Sequence, residues 1–285
     1  MKKWFVFFLI TLLCSRVFFS QQIRHLLHER KPVTFSFDKI ALDTPEKFPE
    51  FALPDLSAIL QQPFFFLGRG EETLAFLSQD GHFVIKFFLL KAFQGEKRYT
   101  IPNIIHWLFP KPHQERQKLR QKVRRQKMLD SMKHYAEVVQ GMQKETGTIA
   151  LHLNPTTNRL PTLVFFDHIG EKHLIELDRV SFVLQHKAVL TGERIANAKT
   201  QEEKKKLVQA LEDFFVLRAK KGVKDLSNRR VLEKNFGFLG DEVIQFDVGR
   251  SGFSKAVQDS PEEEIQNLKI FLQQWASGYG LVRDR

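Results

Sequence analysis

A single cysteine, Cys14, among 285 residues excludes an intramolecular disulfide framework and any cysteine-rich metal site. Tyrosine and tryptophan are scarce, at three each, whereas phenylalanine numbers 28. No internal repeat and no long low-complexity tract breaks the chain, so nothing points to a repeat array. Wholesale disorder is excluded by a hydrophobic content of 42%. Acidic residues are in deficit, and the formal charge is +11. That balance favours anionic partners such as nucleotide, nucleic acid or acidic lipid, and it says nothing about fold.

The N-terminus reads "MKKWFVFFLITLLCSRVFFSQQ". Two lysines precede an apolar run from Trp4 to Cys14, a length that suits a signal-peptide core and is short for a membrane span. The run resumes after Arg16, so an uncleaved anchor with Arg16 snorkelling is the alternative. Either way the protein is expected to be membrane-associated or exported. Leu13 before Cys14 argues against a lipoprotein signal.

Beyond this segment the text changes character several times. Residues 21–62 carry Pro32, Pro45, Pro49 and Pro54 and read as an extended arm. Strand-like runs follow from Phe64 to Leu90, with "GRG" and "QDGH" as turns. Helical spacing governs residues 111–145. "LVFFDHIG" and "HLIELDRVSFVL" read as two strands, and Thr200 caps a helix running to about Lys221. A hairpin turning at Gly240-Asp241 and a helix opening at Ser260-Pro261-Glu262 complete the order. Strands, helix, strands, helix, hairpin, helix predict an α+β fold.

The chemistry concentrates in two stretches. In "FLGRGEETLAFLSQDGHFVIKFF", Gly68 and Gly70 allow a tight turn whose amides face an anion, and Lys86 interrupts a run otherwise built of Phe, Val, Ile and Leu. A lysine so placed needs an anion to hold it. In "KKGVKDLSNRRVLEKNFGFLGDEVIQFDVGR", Asp225 follows a helix, Asn235 opens "NFG" and Asp247 opens "DVG". Hard oxygen ligands suit magnesium, and a separate carboxylate suits a hydroxyl proton.

In this order the motifs resemble those of the protein-kinase-like superfamily, over residues 64 to about 252. The resemblance implies that Gly68 and Gly70 cover the phosphates of ATP, that Lys86 holds two of them, and that Asn235 and Asp247 bind Mg2+. It implies Asp225 as catalytic base, with Asn228 as an alternative polar neighbour, and a helix glutamate paired with Lys86. Glu137, in "YAEVV" near the helix centre, is the choice for that glutamate over Glu145. "ELDRVSF", residues 176–182, falls where the connector between lobes meets adenine. The sequence departs from the family at Thr73, where a third glycine would stand, and at Val223-Lys224, where histidine and arginine would precede the aspartate. Only 36 residues follow Gly249.

The expectation is therefore a two-lobed kinase-like fold with a truncated helical C-lobe, preceded by a hydrophobic targeting segment. Its divisions are 1–20 (targeting), 21–62 (arm), 63–180 (N-lobe) and 181–285 (C-lobe). The expected activity is ATP- and Mg2+-dependent phosphoryl transfer to a non-protein substrate. The competing expectation is a catalytically inactive, membrane-associated binding or scaffold protein. Nine Lys or Arg residues against Glu115 and Asp130 between Lys111 and Lys133 suggest a solvated helix that can meet an anionic membrane surface. No aromatics interleave these charges, so no nucleic-acid partner is expected.

Overall fold

The computed structural model describes residues 47–70, 73–89, 110–225 and 232–279, with backbone alone at 110–118, 120, 121 and 124. The segment 1–20, most of the arm, and Asn228 lie outside these residues. Among the described residues, no helix is long and apolar enough to cross a membrane.

A short helix α1 (Ser57–Leu60) leads into three antiparallel strands, β1 (Phe64–Arg69), β2 (Thr73–Ser78) and β3 (Phe83–Phe88). Helix α2 (Pro110–Met142) follows, then β4 (Thr148–His152), the hairpin β5 (Thr162–Phe166) and β6 (Lys172–Glu176), and β7 (Phe182–His186). These strands form one seven-stranded sheet in the order β4-β7-β3-β2-β1-β5-β6. The β5–β6 hairpin reaches the far edge and joins β1 in parallel, through Phe64 opposite Phe165 and Phe65 opposite Phe166. Strand β3 lies inside the sheet and is covered on both faces, which is why, Lys86 apart, it reads as an apolar run rather than an alternating one.

Phenylalanine builds one face of this sheet. Phe165 packs edge-on to Phe76 and Phe87, each at 5.1 Å between centroids, with Phe64 at 5.7 Å. On the other face Phe88 meets Tyr135 of α2. Helix α2 buries Met128, Met132, Tyr135, Ala136, Val139 and Met142, a stripe at helical spacing.

The second half begins with β8 (Val189–Leu190), α3 (Thr191–Ala196) and α4 (Gln201–Lys220). Thr200 accepts the Glu203 amide at 3.1 Å and caps α4. Next come β9 (Val223–Asp225), α5 (Leu232–Asn235), and the hairpin β10 (Phe236–Leu239) and β11 (Glu242–Gln245). Gly240 takes φ 59° at its turn, a conformation that favours glycine. Strand β12 (Ser251–Phe253) pairs with β9, and α6 (Lys255–Asp259) and α7 (Glu262–Ser277) close the order.

The fold class is α+β. Two expectations need correction. "HLIELDRVSFVL" is not one strand, because a 3-10 turn at Leu177–Arg179 separates β6 from β7. The connector expected at 176–182 is therefore absent: β7 belongs to the sheet, and the chain leaves it only after His186. The sheet thus extends beyond position 180. Phe88, Leu151 and Val183 of the sheet share one buried cluster with α2, α4 and α7. The described residues accordingly belong to one compact unit.

Candidate functional site

Strand register sets the first part of the site. Lys86 lies opposite Ala75 on β2 and Val183 on β7, and Ala75 lies opposite Gly68 on β1. Gly68 is thus two strands from Lys86 in one cross-strand row, about 10 Å away. A β-bulge between Phe66 and Gly68 bends β1 at this row. A Cβ built on Gly68 would meet nothing within 4 Å, so the fold itself gives no steric reason for glycine there. Gly70 donates its amide to the Thr73 carbonyl at 2.8 Å and closes the turn.

Lys86 is buried, and its ammonium donates to the Phe246 carbonyl at 2.6 Å while lying 4.9 Å from the centre of the Phe246 ring. Residues 160 apart in sequence are joined here. Burial pushes this ammonium down to about 8, against the pull of Asp247, which favours the charged form. One carbonyl and one ring leave much of a three-donor group unsatisfied.

Asp247 is exposed, and its Oδ1 accepts from Tyr135 Oη and from the Gly249 amide, each at 3.3 Å. The Phe246 and Asp247 amides both point at the Asn235 carbonyl, at 2.9 and 3.4 Å. The β10–β11 hairpin therefore brings half-buried Asn235 beside Asp247. Helix α2 grips the same segment through His134 Nδ1, 3.2 Å from the Gly249 carbonyl.

Asp225 occupies a different environment. Arg218 is fully buried on α4 and donates to both carboxylate oxygens, at 2.7 and 3.2 Å. Ser251 adds its hydroxyl at 3.3 Å. Gln245 Nε2 then reaches Ser251 Oγ at 2.9 Å and the Asp247 carbonyl at 3.3 Å. A polar chain thus runs from Arg218 through Asp225, Ser251 and Gln245 to the backbone of Asp247.

The expected pairing of Glu137 with Lys86 is corrected. Glu137 pairs with Lys133 at 3.8 Å on the outer side of α2, with its side chain 39% exposed. The cause is helical phase: Tyr135, two residues earlier, points at Asp247, and two residues turn the helix by about 200°. Glu145 lies beyond the helix and pairs with Lys221 at 2.5 Å. Sequence reading missed Tyr135, Arg218, Gln245 and Ser251.

Two other features compete for attention. A groove of ≈ 770 Å³ runs between residues 50–61 and 159–161, lined by Phe51, Leu56, Leu60 and Arg159 among others, and it contains none of the charged groups above. Asp167, Glu171 and His173 cluster at the β5–β6 turn. There Asp167 accepts the Ile169 and Glu171 amides and His173 Nε2, so the hairpin turn itself accounts for the grouping. Convergent charge and burial therefore locate the candidate site at Lys86 and Asp247.

No protein-family model matches the chain, and no curated protein matches it. Among solved structures, a crystal structure of WbdD is similar over 74% of this chain and 37% of WbdD, at 13% identity and a TM-score of 0.36. The chain spans little more than a third of WbdD's length, and a likeness that slight assigns neither family nor activity.

Proposed function

We propose that the chain binds ATP with Mg2+ at the Lys86–Asp247 site and transfers the terminal phosphoryl group to a non-protein hydroxyl substrate, as a kinase-like enzyme. The carrying observation is the 2.6 Å contact between Lys86 and the backbone carbonyl next to Asp247. It sets a buried cation beside an exposed carboxylate, the two charges that a phosphate chain and its metal require. Lys86 would take phosphate oxygens with the donors it does not spend on Phe246. Asp247 and Asn235 would hold the cation through hard oxygens. The open space over Gly68 leaves room for a phosphate against the strand backbone. Bound magnesium would neutralise charge developing on the transferred group.

Asp225 favours a second reading. A general base must be free to accept a proton, yet both Asp225 oxygens are already held by a buried guanidinium. On this reading the chain binds nucleotide without turning it over and serves as a binding or scaffold protein.

The test is a melting-temperature series with Mg2+ alone and with Mg2+ plus ATP, run beside an assay for ADP release. Wild type should gain several degrees with ATP, and Lys86→Met and Asp247→Asn should each lose that gain. ATP-dependent stabilisation without ADP release, with and without candidate acceptors, selects the binding protein. No stabilisation at millimolar ATP removes both readings. An anionic membrane surface remains the proposed partner of α2, whose described side chains from Lys122 to Lys127 are exposed.

A further inference from the structure

Asp247 is held on one side only. Its Oδ1 takes two donors, the Tyr135 hydroxyl and the Gly249 amide. Among the described residues Oδ2 has no hydrogen-bond partner, and the residue is exposed. The carboxylate is therefore oriented by one oxygen and open at the other.

Tyr135 suits that task. Its ring is 1% exposed and packs edge-on to Phe88 at 5.4 Å, so the hydroxyl is carried on an immobilised side chain. A phenol donates to a carboxylate without adding a second negative charge, so it orients the ligand without competing for the cation. Its neighbour His134 contacts the Gly249 carbonyl, which fixes the helix against the same turn. Gly141, further along α2, packs so closely on Phe253 of β12 that a Cβ there would lie 2.5 Å from the ring. Helix α2 is thus tied to the Asp247 segment at three points.

We infer that Tyr135 is the positioning residue of the metal site: it fixes Asp247 through Oδ1 so that Oδ2 faces a nucleotide-bound divalent cation. In this chain α2 supports the metal ligand, while the lysine is left to the Phe246 carbonyl. The inference rests on the proposed nucleotide site and adds the residue that sets its metal affinity.

Mn2+ serves as the probe. Free Mn2+ is followed by its electron paramagnetic resonance signal while full-length protein is titrated with ATP present. Tyr135→Phe keeps the ring on Phe88 and removes only the hydroxyl. It should weaken Mn2+ binding about tenfold, as loss of a supporting contact to a metal ligand does. ATP binding without metal and the ligand-free melting temperature should stay unchanged, which a packing defect would not allow. The chain has three tyrosines, Tyr99, Tyr135 and Tyr279, so 3-fluorotyrosine labelling yields a simple 19F spectrum. The Tyr135 signal should shift when Mg2+ joins ATP, and should not shift in Asp247→Asn. This second reading holds even where Tyr135→Phe folds poorly. Unchanged Mn2+ affinity in Tyr135→Phe, or a Tyr135 signal blind to Mg2+, overturns the inference and leaves nucleotide binding standing. Failure of the wild-type protein to bind Mn2+ with ATP overturns both.

Discussion

Two buried cations, Arg218 at the head of the polar chain and Lys86 on the carbonyl preceding Asp247, are treated differently. Arg218 meets a carboxylate with both arms of its guanidinium and is shut away from water. Lys86 meets a single carbonyl and an aromatic face, with an exposed aspartate nearby. A cation with its charge matched by a bidentate carboxylate serves architecture, even though the buried Arg218 Nε has no partner of its own. A cation left short of partners costs stability in the free protein and is ready for an anion. The contrast explains why the proposed site lies at Lys86, although Arg218 is the more deeply buried of the two.

The sharpest way to break this contrast is to leave Arg218 without its carboxylate. Asp225→Ala should cost about 3–5 kcal/mol of unfolding free energy, read by urea titration. Arg218→Met combined with Asp225→Leu should recover much of that loss, since no buried charge is then stranded. A small effect of Asp225→Ala would mean that the guanidinium finds water, and the architectural role would fall.

Lys86 should show the opposite signature, in its dependence on pH. Its folded value of about 8 lies below the ordinary lysine value of 10.5, so between these pH values the unfolded chain holds more protons. Stability should therefore rise as pH climbs from 8 to 10.5, by up to roughly 3 kcal/mol. Lys86→Met should remove that rise, and at pH 7 it should match or exceed wild type in stability. ATP binding should move the other way and weaken above pH 8, because the phosphates need the charged form. The check is a set of melts and ATP titrations at half-unit steps across this range. A Lys86→Met protein that melts far below wild type at pH 7 would mean the ammonium is already well paired.

The smallest effect is expected at Glu137. An exposed pair one helical turn from Lys133 contributes no more than about 0.5 kcal/mol. Glu137→Ala should therefore leave both stability and ATP binding unchanged within error. A loss comparable to that of Asp225→Ala would restore Glu137 as the partner of Lys86.

Lys86 is legible in the sequence because it is a charged residue set in strongly apolar text, and burial there demands a reason, whereas Asp247 is legible only through the likeness of "DVG" to a family motif. Glu137 stands near the helix centre, and centrality does not fix which way a side chain points. The apolar stripe Met128, Met132, Tyr135, Val139 does fix it, and it points to Tyr135. Arg218 had a signal of the same kind: it stands at the i+7 position of the buried series Leu211 and Phe215 on α4. An arginine on an apolar stripe predicts a buried carboxylate partner, and Asp225 lies one short turn away. The division of the sheet was less legible. Nothing local in "HLIELDRVSFVL" marks the turn at Leu177–Arg179, which depends on where the β5–β6 hairpin finds its edge.

That edge has a consequence for the order in which the protein is made. The inner strand β3 receives its second neighbour from residues 182–186, and β1 receives its outer neighbour from 162–166. On a ribosome adding about 5–20 residues per second, β3 waits roughly 5–20 s for β7 to be made. Until then Phe165, the ring that packs on Phe64, Phe76 and Phe87, does not exist, and β1 and β3 each lack one neighbour strand. The strand order thus ties completion of this phenylalanine cluster, and closure of both edges, to the later strands β5 and β7.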